Sequence, residues 1–120
     1  MKKSLAITIG SVNQAAREVI DAWHRAEHGK KAPESRAEIL FTDLETLFKT
    51  LTLQRFRLLR QLRRSGPTSI RALAKALGRD YKNVHRDVIE LLRLGMIEKN
   101  EAGQILVPWN EIDARLDLAA

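Results

Sequence analysis

The sequence predicts an α+β protein, mainly α with a small β component. Three observations carry that prediction. Apolar residues recur at helical spacing through most of 42–94. Two short stretches rich in apolar and β-branched residues, 4–9 and 37–41, flank another helical pattern near the N-terminus. Two more strand-like stretches, 96–99 and 104–108, bracket the turn Asn100-Glu101-Ala102-Gly103.

Taken in order, residues 4–9 (SLAITI) predict a strand. Ser11-Val12-Asn13-Gln14 is a capping box that opens a helix, carrying Val12, Ala15, Ala16, Val19, Ile20 and Trp23 at helical spacing to His28. Gly29 stops it, and 29–33 is a polar linker. Residues 37–41 (AEILF) predict a second strand. Strand, helix, strand suggests a unit with parallel strands. Two strands make a poor sheet alone, so this part is expected to pair with a second copy or pack on the rest of the chain. Thr42-Asp43-Leu44-Glu45 is another capping box, opening a helix with Leu44, Leu47, Phe48 and Leu51. Thr52 can cap the next helix, whose expected apolar stripe is Leu53, Phe56, Leu59 and Leu62. Arg55, Arg57, Arg60, Arg63 and Arg64 fill most of the remainder, and a solvated face accounts for most of them.

Ser65-Gly66-Pro67 breaks that helix. Two amphipathic segments then follow in 68–95. The first carries Ile70, Leu73, Ala74 and Leu77, and the second Val84, Val88, Leu91 and Leu92. Ser69 is placed to cap the first and Asp80 the second. Gly78 and Gly95 suit the left-handed positions that end them. Asn110 can cap a last helix through Leu118. Three helices followed by a hairpin make a winged helix-turn-helix. The expected organisation is therefore a strand-helix-strand extension over 1–49 and a winged helix-turn-helix domain over 50–120.

Charge is unevenly distributed. The formal net charge is +6, yet 53–94 alone holds 11 Lys+Arg against 3 Asp+Glu, and 95–120 is net −3. That concentration favours a polyanion as partner. The basic helices lack the broad aromatic face of an interfacial membrane helix. Met1-Lys2-Lys3 and the following apolar run faintly resemble a signal peptide, but the run is short and is broken by Thr8, Gly10 and Ser11. No apolar run approaches membrane-spanning length, so no membrane partner is expected and a cytoplasmic location is the default. With no cysteine there is no disulfide framework and no thiolate metal site.

The outward face of the second amphipathic helix, 80–94, supplies candidate contacts to double-stranded DNA. Tyr81, Lys82, Asn83, His85 and Arg86 lie in its first two turns, with Arg79 just before. Cations there can pair with phosphates, and Asn and Arg can read base edges. Ser69, Arg71 and Lys99 complete the candidate set.

Residues 53–107 resemble the winged helix-turn-helix of MarR-like and ArsR-like prokaryotic transcriptional regulators. The resemblance is carried by Leu73-Ala74, Leu77-Gly78, Val84-His85-Arg86, and Leu91 through Gly95-Met96-Ile97. The phrase GRDYKNVHRDVIELLRLGMIE, with Leu51-Thr52 and Arg55 upstream, is similar to a group of small predicted regulators that includes antitoxins. The resemblance implies a recognition helix in the major groove, with the wing near a phosphate strand or minor groove. It also implies a homodimer on a pseudo-palindromic site. A dimeric repressor is the expected role, though the sequence does not separate repressor from activator. It places Lys82, Asn83, His85 and Arg86 at base- or phosphate-facing positions. The wing tip departs from the larger regulators, since 100–103 holds no arginine and Lys99 is the nearby cation. An antitoxin that binds a toxin protein and represses their shared operon is the alternative.

His24-Arg25-Ala26-Glu27-His28 has the spacing of an inverted zinc-peptidase motif. Catalysis needs a third ligand and a cleft, and Arg25, Lys30 and Lys31 oppose a cation, so chance explains the pattern better. There is no Gly-rich phosphate loop and no Ser/His/Asp order. No enzyme activity and no cofactor are expected. Trp23 and Trp109 are expected as core or interface anchors.

Overall fold

A computed structural model describes residues 3–10, 36–116 and 118. The helix expected over 11–28, its linker, Trp23 and the His24/His28 pair lie outside the described residues. Among the described residues the chain is α+β. Its elements are β1 (Ser4–Ile9), β2 (Arg36–Phe41), α1 (Leu44–Thr50), α2 (Leu53–Ser65), α3 (Ile70–Leu77), α4 (Tyr81–Leu94), β3 (Glu98–Lys99), β4 (Ile105–Leu106) and β5 (Glu111–Ala114). They divide into two units, Met1–Thr50 with Trp109–Ala120, and Leu51–Pro108. The sequence reading carries the second unit on to residue 120, whereas compactness returns 109–120 to the first.

The first unit is built on β1. Leu5, Ala6, Ile7 and Thr8 are all buried, so both faces of the strand are covered, the usual state of a parallel sheet. β1 is the central strand of the order β2-β1-β5, and both pairings are parallel. Ser4 aligns with Arg36 on one side and with Glu111 on the other. The expected strands at 4–9 and 37–41 are present and parallel. The third strand that makes the sheet viable comes from the chain itself. The helix expected over 110–118 is corrected, because 111–114 is strand β5. Asn110 caps nothing there; its Oδ1 accepts from the Lys3 amide at 2.9 Å, and its own amide donates to the Lys3 carbonyl at 2.8 Å. Pairing with β1 satisfies its backbone where a helix cap was foreseen. The buried Thr8 hydroxyl donates to Glu38 Oε1 at 2.6 Å, so that polar group is not orphaned.

Helix α1 starts one residue away from the expected box. Asp43 Oδ1 accepts from the Thr46 amide and the Thr46 hydroxyl, each at 2.7 Å, which makes Asp43 the capping side chain in place of Thr42. Those two bonds hold its carboxyl below the ordinary value, with the Lys49 charge assisting.

The second unit packs α2, α3 and α4 around one apolar core. Leu58, Leu59 and Leu62 come from α2, Leu73 and Ala74 from α3, and Val84, Val88 and Leu91 from α4. Met96, Ile97, Ile105 and Val107 close it from the β3-β4 ribbon and its flanks. Full burial of each such side chain contributes about 1.5–3 kcal/mol before the conformational entropy of ordering it is subtracted. The α2 stripe differs from the expected one. Leu53 and Phe56 are exposed, 63% and 40%, and Leu58 takes the inward position. The helix is rotated so that the side centred on Leu58 and Leu62 faces inward.

β3 and β4 are antiparallel and short. Asn100 N donates to the Gln104 carbonyl, and Gly103 N to the Asn100 carbonyl, which closes a tight tip with Gly103 at φ +80°. Thr68 adds a third rung by exchanging two backbone bonds with Ile105, at 3.0 and 2.8 Å. The ribbon is thereby tied to the residue that leads into α3. No described helix is long and apolar enough to cross a membrane.

Candidate nucleic-acid interface

The surface formed by α3, the turn after it and α4 is assembled by local rules. Ser69 Oγ accepts from the Ala72 amide at 3.1 Å and caps α3, and Thr52 does the same for α2 through the Arg55 amide at 3.2 Å. Gly78 ends α3 in the left-handed conformation at φ +64°. Its amide reaches Lys75 O and the Arg79 amide reaches Ala74 O, the paired bonds of a Schellman end. Asp80 then takes the N-cap position of α4, but its side chain makes no cap hydrogen bond, which corrects the expected cap. An acid at a helix start still interacts favourably with the dipole. Gly95 closes α4 with the same two-bond pattern, through Leu92 O and Leu91 O, and the flanking Met96 and Leu91 are both fully buried.

With Val84, Val88 and Leu91 turned into the core, the opposite side of α4 faces outward. Lys82, Asn83, His85 and Arg86 are all exposed there. Their side chains make no hydrogen bond or ion pair with the described residues. Tyr81 is 43% exposed and sits between two other candidates. The Arg71 guanidinium lies over its ring, 5.3 Å from the centroid, and the centroid of the His85 ring is 5.8 Å from that of Tyr81. Arg71, Tyr81 and His85 therefore form one cluster joining α3 to α4. The stack holds the Arg71 charge at an exposed aromatic face.

The remaining candidates are placed differently. Ser69 spends its hydroxyl oxygen on the α3 cap. Lys99 is exposed on β3 and makes no ion pair with the described residues. Arg79 points to the protein: its Nη2 donates to Asp87 Oδ2 at 2.9 Å. Arg55 Nε donates to the other oxygen of Asp87 at 3.0 Å. The sequence reading did not assign Asp87. One signal for the pair was available. Arg55 lies three, four and seven residues before Leu58, Leu59 and Leu62, on the inward stripe of α2, and Asp87 adjoins Val88 on the edge of the α4 stripe.

Near the far end of α4, Arg93 donates two bonds to Glu90. The Arg93 guanidinium holds the Glu90 carboxyl below its ordinary value, and Glu90 in turn raises Arg93. The uncompensated cations of α4 thus fall in its first half. The whole Leu51–Pro108 unit holds 12 Lys+Arg against 5 Asp+Glu, net +7. Among the described residues, no group of three or more His, Asp or Glu could hold a metal ion.

No curated protein and no solved structure matches the chain. The model of the HVO_A0114 family matches residues 50–114, more than half of the 120 residues, and so takes in the helical unit and runs to the end of β5. The chain belongs to the HVO_A0114 family.

Proposed function

We propose that the protein is a sequence-specific DNA-binding transcriptional regulator, a dimeric repressor whose Leu51–Pro108 unit acts as a winged helix-turn-helix. The observation that carries this reading is the outer face of α4. Lys82, Asn83, His85 and Arg86 stand exposed on a helix whose other side is locked by Val84, Val88 and Leu91. Such a face can enter a major groove, with Asn and Arg reading base edges and Lys neutralising phosphate. The unit's +7 charge supplies the sequence-independent attraction that brings it to a duplex. In this reading the β3-β4 ribbon is the wing. Its tip carries Glu101 and no arginine, so discrimination falls mainly on α4.

The test is replacement of Lys82, Asn83 and Arg86 together by Ala, with binding measured against a duplex selected from random sequence. Preferred binding is expected to vanish while the circular dichroism spectrum and melting temperature stay unchanged, because none of the three contributes to the core. Each lost phosphate contact also flattens the salt dependence by about one unit of log–log slope. Unchanged affinity for the selected duplex refutes the proposal.

A second reading is favoured by the sheet unit, which nucleic-acid binding by itself does not require. In that reading the protein is an antitoxin, with the first unit holding a toxin while the second represses the shared operon. Co-purification with the product of the neighbouring gene supports it, and a solitary gene with no tight partner removes it.

A further inference from the structure

We propose that Asp87 is a positioning residue: by clamping Arg55 and Arg79 it fixes how α4 is presented, and so sets sequence discrimination without touching nucleic acid. The proposal rests on the nucleic-acid reading of α4 given above.

The clamp joins three separate places in the unit. Asp87 lies on α4, Arg55 in the first turn of α2, and Arg79 in the turn between α3 and α4. Each guanidinium takes a different oxygen of the one carboxylate, at 3.0 and 2.9 Å. The side chains are 13%, 17% and 22% exposed, so all three are largely withdrawn from solvent. Arg79 is committed to this arrangement. Its Nη1 is buried and makes no hydrogen bond with the described residues. A cation held so is not available to phosphate, which moves Arg79 from the contact set to the supporting set.

The apolar contacts of α4 decide which side faces the core, and a directional tie can refine that roll. Val84, Val88 and Leu91 are aliphatic, and burial of such surface is non-directional. A carboxylate gripped by two planar guanidiniums is directional. Asp87 is also one helical turn beyond Asn83, on the same flank of α4. A tie at Asp87 therefore restrains the side of the helix that presents Asn83. Buried ionic groups are seldom needed for net stability, and fixing a unique arrangement is their best-attested use. The location argues for this too. An acid at the middle of α4 lowers the attraction of a +7 unit for any polyanion, so generic affinity is the property it opposes.

The test uses the full chain with Asp87→Asn, which keeps the side-chain volume and removes the charge. Two duplexes serve as probes, one selected by the wild-type protein from a random pool and one of random sequence. Affinity for the random duplex is expected to rise, with a salt slope steeper by about one unit as the released cations engage phosphate. The ratio of selected to random affinity is expected to fall by about tenfold or more, the scale of a lost base contact. Asp87→Glu, which can keep both ion pairs, is expected to retain most of that ratio. An unchanged ratio in a folded Asp87→Asn protein overturns the proposal. If Asp87→Asn does not fold, Arg79→Lys takes its place: it keeps the charge and loses the planar fork, and an unchanged ratio there has the same meaning. If the wild-type protein prefers no duplex, the nucleic-acid reading falls. The clamp is then judged by urea unfolding of Arg79→Gln, Asp87→Asn and the double variant, where additive effects overturn it and coupling sustains it.

Discussion

The helical unit and the sheet unit close themselves over very different sequence distances. In Leu51–Pro108, four helix ends are settled within a few residues: Thr52 with Arg55, Ser69 with Ala72, Gly78 with Ala74 and Lys75, Gly95 with Leu91 and Leu92. In the sheet unit, Ser4 needs Arg36 on one side and Glu111 on the other. The charges differ as well, net +7 against net −1 for the remainder of the chain. The contrast shows one chain combining a locally encoded cationic unit with a near-neutral one that exists only after distant segments meet.

Core truncation gives the largest expected effect. Leu62→Ala removes a fully buried side chain and is expected to cost about 2–5 kcal/mol in urea unfolding. Hydrogen exchange is expected to speed up across α2, α3 and α4 and to leave β1 protected. Ile7→Ala, at a position 2% exposed, is expected to do the reverse. Loss of protection in both units after either change would erase the distinction between them.

Capping gives the next effect and tests how local the helical unit is. Ser69→Ala breaks the bond to the Ala72 amide and is expected to cost about 1 kcal/mol. Asp80→Ala removes a side chain that makes no cap bond, leaving only a dipole interaction of about 0.3–1 kcal/mol. Equal losses from the two in matched melts would mean that the start of α4 is capped after all.

The smallest effect is in acid, and it appears in both units. Asp43 in the sheet unit is held below its ordinary value of 3.8, first by the Thr46 hydroxyl and then by the Thr46 amide. Glu90 in the helical unit is held below 4.5 by Arg93. A lowered folded-state value means that the contribution is complete above the ordinary value and is lost as pH falls through the lowered one. NMR titration of the two carboxyl carbons is expected to give midpoints below 3.8 and 4.5 respectively. A midpoint at or above the ordinary value would show that the corresponding hydrogen bonds are absent in solution.

The same contrast explains what the sequence made legible. Thr52, Ser69, Gly78 and Gly95 act through neighbours, so spacing alone located three helices and the turn that orients α4. The strands 4–9 and 37–41 were also legible, from β-branched and apolar content. β5 was not, because Asn110 followed by Glu111 reads as a capped helix until the Lys3 backbone is brought beside it. Leu53 and Phe56 follow helical spacing as well as Leu58 does, and only packing decides which of them turns inward. In the candidate site, exposure of Lys82, Asn83, His85 and Arg86 followed from the position of Val84 and Val88. The destination of Arg79 did not, since Asp87 and Arg55 meet it only in the folded unit.

The return of the chain into β5 gives the molecule an unusual tolerance to cutting. The helical unit is spliced into the sheet unit, with one covalent crossing after Thr50 and another before Trp109. A single nick at either crossing leaves two fragments that the β1–β5 ladder still holds together, because β1 lies on one and β5 on the other. A protease would have to cleave both sites to set the cationic unit loose.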